Sequence, residues 1–233
     1  MVKKPITITL ALCAVAITSL TAITGAASAA KFYIEGKELT SKETVKVTTT
    51  APLVLEGTVT SAGYGKIECE QMNAQPKLPV FHNKEEEIEW NRKYPLPTIE
   101  STSKGTWSKG MFLEGCKMVE PASCSIVSNL IANPREQALL LSPTGALSYK
   151  FTSESGFFLT YTVRGCAAEG IMSIQGSPEC KWAQPETAAV THKCEFTATS
   201  GSTLTAGAHE MIMKASNQYE LAGANAGKKW SMR

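Results

Sequence analysis

The chain contains no aspartate: all 21 of its acidic residues are glutamate. That absence removes Asp-rich calcium loops, paired-Asp proteases and Ser-His-Asp triads together, although glutamate can stand in for aspartate in some of them. Other shortages narrow the chemistry further. No two cysteines lie as close as C-x-x-C, which argues against zinc. No G-x-S-x-G occurs, and the only histidines are His82, His192 and His209. HEMIM, from His209 to Met213, begins like the zinc-protease signature, but Met213 stands where the second histidine is needed. GANAGKK, from Gly223 to Lys229, is one residue short of a phosphate loop, and Lys229 replaces the hydroxyl that would hold magnesium. Neither a metal nor a cofactor is expected.

Charge of one sign is also missing once the first residues are set aside. Lys3 and Lys4 precede an apolar stretch that closes on Ala27-Ser28-Ala29. This is the three-part order of a secretory signal peptide over residues 1–29, with cleavage after Ala29 or Ala30. The full chain has 23 basic and 21 acidic side chains; removing the two lysines leaves 21 of each. Balanced charge gives no electrostatic case for nucleic acid, and no membrane span is expected after cleavage. Cys13 goes with the leader, leaving Cys69, Cys116, Cys124, Cys166, Cys180 and Cys194. An even set in an exported chain reads as disulfides, with Cys180–Cys194 the most local pairing and the connectivity otherwise open.

What the sequence has in quantity is alternation. Val45 and Val47 share one face of ETVKVTTT, and Leu53, Leu55, Gly57 and Val59 share one face of LVLEGTVT. GKIECE turns Ile67 and Cys69 inward. ALSYKFT and FFLTYTVR read as a β-hairpin around Ser153–Gly156, with Leu147, Tyr149 and Phe151 on one face of the first and Phe157, Leu159, Tyr161 and Val163 on one face of the second. Further strands are expected at 31–36, 106–113, 123–127, 137–141, 188–198 and 209–214. His192 shares a face with Val190, Cys194 and Phe196 and reads as a core histidine. A period of two with Gly, Ser and Asn breaks points to an all-β antiparallel sandwich, or alternatively a barrel, over residues 30–233 as one domain.

The segments FYIEGKEL, LEGC, RGCAAEG and LAGANAGKKW are similar to those of a group of uncharacterised secreted, cysteine-containing proteins that certain soil actinobacteria carry in many copies. The resemblance implies export, a β-rich domain and cysteine cross-links, and it implies no functional residue. Residues 71–104 are longer and more charged than the pattern of that group.

That stretch is a bounded insertion, with Pro76, Pro79, Pro95 and Pro97 around VFHNKEEEIEWNRKYPLP. Asn83 and Glu86 form a capping-box pattern for a short helix over 84–93, with Glu89 and Lys93 as an i,i+4 pair. The charges are explained by the helix; the aromatics are not. Phe81, Trp90 and Tyr94 would lie over the sheet as a lid on the core, or form a platform for a sugar ring or a partner. Phe81, His82, Trp90, Tyr94 and the nearby Trp107 are therefore the candidate binding residues. The function expected is that of a secreted, non-catalytic binding or structural protein of the envelope or extracellular space, its partner a cell-wall glycan or a surface protein. Two alternatives stand beside it. A glycan-cleaving enzyme would need a groove holding two Glu side chains beside Trp90, Trp107 or Trp182. A subunit of a surface assembly would need an unpaired strand edge.

Overall fold

The computed structural model describes residues 30–57, 65–77, 79–128, 130–142, 144–167 and 169–233. The expected leader, Cys13 and Val59 lie outside them. The described residues form twenty strands and one α-helix. The strands are β1 (Phe32–Ile34), β2 (Lys37–Glu38), β3 (Lys42–Gly57), β4 (Lys66–Cys69), β5 (Gln71–Asn73), β6 (Thr98–Glu100), β7 (Lys104–Thr106), β8 (Met111–Glu114), β9 (Lys117–Glu120) and β10 (Ser125–Ile126). They continue with β11 (Leu130–Ala132), β12 (Glu136–Leu141), β13 (Leu147–Thr152), β14 (Phe157–Arg164), β15 (Gly170–Ser177), β16 (Glu179–Trp182), β17 (Thr191–Phe196), β18 (Thr203–Ala206), β19 (His209–Leu221) and β20 (Trp230–Met232). Helix α1 (Lys84–Lys93) lies between β5 and β6. The fold is all-β and antiparallel, as the alternation requires.

Two long strands organise it. The two runs read separately in the sequence are one strand, β3, in which Val45, Val47, Leu53 and Leu55 are all buried. Pro52 falls at an outward position, and the β3–β19 ladder absorbs its missing N–H through register shifts around Ser216. β19 follows β3 along its length but carries β17 at one end and β18 at the other. From β17 the pairing continues through β16, β13, β12 and β7. From β18 it continues through β15 and β14 to β11, β8 and β5. The first run curls inward. The rings of Tyr149 on β13 and Tyr219 on β19 are 6.1 Å apart, although two strands separate them in the ladder. Flat, those strands would stand about 14 Å apart. This end of the core is aromatic, built from Phe32, Tyr149, Phe151, Trp182, Phe196 and Trp230; the other end is mainly aliphatic and methionine.

Several expected details are corrected. The ALSYKFT–FFLTYTVR turn is not a hairpin: β13 pairs with β12 and β16, while β14 pairs with β15, β10 and β11. The turn, closed by the Gly156 N–H donating to the Ser153 carbonyl at 3.1 Å, passes the chain from one run of strands to the other. A register shift between Phe157 and Leu159 puts Phe158 in the core and leaves Phe157 37 % exposed. The expected strand 106–113 is broken at Trp107–Gly110, where Trp107 turns into the core. Gly110 there has φ +80, and a side chain on it would meet the Ala132 carbonyl at 2.1 Å. His192 is in the core, 3 % exposed, but Val190 precedes β17 and is 37 % exposed.

The disulfides are Cys69–Cys116, Cys124–Cys166 and Cys180–Cys194, the last as the spacing indicated. Each joins neighbours in the ladder: β4 with the start of β9, β10 with the end of β14, and β16 with β17. The two Gly-Cys steps follow directly on β8 and β14, each with its glycine at positive φ (Gly115 +63, Gly165 +81). Among the described strands, those with a ladder on one side only (β2, β5, β6, β7, β9, β10 and β20) are two to four residues long. Such short edges are poor templates for a further strand.

Candidate functional site: the aromatic insertion

The stretch 71–104 is only partly an excursion. Its ends are sheet, since β5 pairs with β8 and β6 pairs with the start of β3. Between them the chain leaves, forms α1 and returns. Asn83 caps the helix as expected, its Oδ1 accepting the Glu86 N–H at 2.8 Å. The reciprocal half of the box is displaced by one residue: Glu86 Oε2 accepts the backbone N–H of His82 at 2.9 Å and lies 3.2 Å from its Nδ1. Glu85, Glu86 and Glu87 occupy the first turn and Arg92 and Lys93 the last, which suits the helix dipole. Glu89 does not pair with Lys93. It accepts two hydrogen bonds from Arg92, at 2.6 and 2.9 Å, which hold its carboxyl below the ordinary carboxylate range. Lys93 instead lies over the Tyr94 ring at 5.3 Å.

No residue of α1 is buried, so the helix is attached by few contacts. Gln75 supplies one, its Nε2 donating to the Tyr94 carbonyl at 2.5 Å. The same Nε2 reaches Asn91 Oδ1 at 3.4 Å, and an aromatic column adds to these contacts. Phe81 meets Trp90 at 6.2 Å, Trp90 meets Tyr94 at 4.5 Å, and Tyr94 meets Phe112 edge-on at 5.7 Å. Phe112 stands between Met111 and Leu113 on β8, both buried, so its own side chain points outward. The column therefore rests on the outer face of the sheet and does not close over the core.

Three of the predicted residues, Phe81, Trp90 and Tyr94, are in contact, and His82 is fully at the surface beside them. Trp107 is not with them. It is 1 % exposed, its Nε1 donates to Gln137 Oε1 at 2.8 Å, and its ring packs on Phe151 at 5.8 Å. Gln137 Nε2 in turn donates to the Thr98 carbonyl at 2.9 Å. Trp107 is a core residue with a satisfied indole, and it offers no face to a ligand. Phe112 and Gln75 were missed by sequence reasoning. Phe112 had a readable signal, an aromatic in the outward phase of its strand; Gln75 had none.

A groove of about 690 Å³ runs along this surface. Its lining includes Phe81 and Trp90 together with His82, Glu85, Glu86 and Glu89. Val80, 83 % exposed, forms an apolar shoulder. A second groove, about 670 Å³, is lined by Tyr94, Phe112, Leu130 and Ile131 among others. A third, about 540 Å³, contains Glu70 and Glu114 but no tryptophan.

Family models, curated proteins and solved structures were all searched, and none matches this chain. Among the described residues no group of three or more His, Cys or Glu side chains is placed to hold a metal, and no helix is long and apolar enough to cross a membrane.

Proposed function

We propose that this is a secreted, non-catalytic binding protein that makes contact through the aromatic insertion, with the disulfide-linked sheets as its support. The observation that carries the proposal is the groove beside Trp90. It exposes aromatic and aliphatic surface on an element that contributes no buried residue to the core. Three disulfides suit an oxidising compartment. Cleavage after Ala29 suits the fold better than cleavage after Ala30, because Ala30 is 1 % exposed and its carbonyl accepts a hydrogen bond from the Ser103 hydroxyl.

The glycan-cleaving alternative gains one observation, since the groove does place glutamates beside Trp90. Glycoside hydrolysis needs its two carboxyl groups on opposite sides of the scissile bond. Here Glu85, Glu86 and Glu89 all belong to one helix, and the carboxyls of Glu86 and Glu89 are already engaged by His82 and Arg92. That arrangement favours binding over cleavage.

The test is retention of the mature protein on the cell-wall fraction of the source organism. Excision of the whole insertion is unsuitable, because Asn73 is in β5 and Ser103 bonds Ala30. Trp90→Ala combined with Phe81→Ala leaves the sheets intact and should abolish retention. Unchanged retention removes the insertion from the function.

A further inference from the structure

We propose that the groove beside Trp90 receives an arginine side chain presented by an extended segment of a partner protein. This rests on the insertion being the contact surface, and it adds the chemistry of what is bound. Three carboxylates and one ammonium, that of Lys93, line the groove, a formal balance of minus two. Lys93 lies over the Tyr94 ring, and its charge still helps to hold the Glu89 carboxyl down. Arg92 is not part of the lining but neutralises Glu89 through two hydrogen bonds, which leaves one net negative charge at the groove. Glu85 has no side-chain partner among the described residues, whereas Glu86 and Glu89 are tied locally and keep unused acceptor positions.

Aromatic lining beside a carboxylate without a side-chain partner fits a planar cation. A guanidinium stacks on an indole while its N–H fork meets a carboxylate, and it is more easily stripped of water than an ammonium. The chain already shows both halves of this chemistry on its own surface: Arg92 binds Glu89 through two nitrogens, and Arg233 lies over the Tyr33 ring at 5.2 Å. A neutral sugar would use the aromatic face but leave the excess negative charge unanswered. The groove is larger than one side chain, and Val80 offers apolar surface beside it for the residues flanking the arginine. That is why the partner is an extended segment and not a free amino acid.

Intrinsic fluorescence reports on this site selectively. Trp107, Trp182 and Trp230 are at most 6 % exposed, so Trp90 is the only tryptophan open to a ligand. The mature protein would be titrated with a capped Val-Arg-Val peptide, its citrulline counterpart and a neutral N-acetylglucosamine oligomer. The arginine peptide should shift the emission, and the citrulline peptide and the sugar should not. Glu85→Gln, which leaves the helix cap intact, should weaken the arginine peptide about threefold, as for one exposed ion pair. Trp90→Phe should abolish the signal, and high salt should weaken it. Equal response to the citrulline peptide overturns the proposal. So does a response to the sugar alone, although the insertion would then stand as the contact surface. Silence with every probe also rejects arginine, and wall retention of the Trp90→Ala, Phe81→Ala protein decides the wider reading separately.

Discussion

Tyr94 and Phe112 meet edge-on, 5.7 Å apart, and this contact joins the exposed helix to the outer face of β8. An aromatic pair of this kind contributes about 0.5–1.5 kcal/mol beyond its buried area. Phe112→Ala should therefore release α1 without unfolding the sheets. Hydrogen exchange should accelerate across 84–93, while the main thermal transition moves by only a few degrees. Concerted loss of protection across β8 and β11 would show that the column is part of the core after all.

The helix has its own local determinant in Asn83. Removing a capping side chain costs about 1 kcal/mol of helix stability. Asn83→Ala should fray the first turn, seen as faster exchange of the Glu86 amide, and Asn83→Ser should restore it. Because α1 buries nothing, global stability should be almost unaffected by either change.

Trp107 should behave in the opposite way. Trp107→Ala removes a fully buried indole and should cost about 3–5 kcal/mol, with ligand retention preserved wherever the variant is folded. Gln137→Leu is the sharper probe, since it strands the Trp107 N–H and the Thr98 carbonyl together. A loss of about 2–5 kcal/mol is expected for two stranded buried groups, measured by urea unfolding.

Stability should fall in mild acid because of His192. Burial lowers the pKa of this imidazole, against a smaller opposing effect from its hydrogen bond to the Trp230 carbonyl at 2.7 Å. Below the ordinary value of 6.5 the unfolded chain takes up a proton that the folded chain resists. The contribution is therefore complete above that pH and is lost as the pH falls through the lowered folded value. Urea midpoints measured downward from neutral pH should show this slope in the native protein and lose it in His192→Phe. An unchanged slope would assign the acid sensitivity elsewhere.

The cross-links should differ in weight. In the chain-entropy treatment, the Cys180–Cys194 loop of separation 14 is worth about 3 kcal/mol, and the Cys69–Cys116 loop of separation 47 about 4 kcal/mol. Paired Cys→Ala replacements compared by denaturant midpoint should rank in that order. Peptide mapping without reduction should recover Cys69–Cys116, Cys124–Cys166 and Cys180–Cys194.

The strands that sequence reasoning found are those whose alternation maps onto one buried and one wet face, as in β3, where the pattern runs unbroken from Val45 to Leu55. It missed β15, where Ile171 is 74 % exposed and spoils the rhythm around Met172 and Ile174. It also missed three-residue strands such as β11, which hold too few residues to show a period. Pairing was the harder problem. The turn at Ser153–Gly156 has hairpin composition, and only contacts from distant strands show that it carries the chain between two runs. At the site, the helix and its cap were legible because they are local. Trp107 was misplaced because an indole near an aromatic loop in sequence carries no mark of which way it turns.

The first and last strands of the described fold lie side by side. Lys31 and Arg233 exchange backbone hydrogen bonds at 2.5 and 2.9 Å, and Phe32 to Ile34 match Trp230 to Met232 residue for residue. A short peptide bridge from residue 233 to residue 30 could therefore close this segment into a ring, and the chain could be opened instead at the exposed Gly207 turn. A stretching force applied at Ala30 and Arg233 would reach this small sheet before it reached any sulfur bridge, so the fold would begin to come apart there.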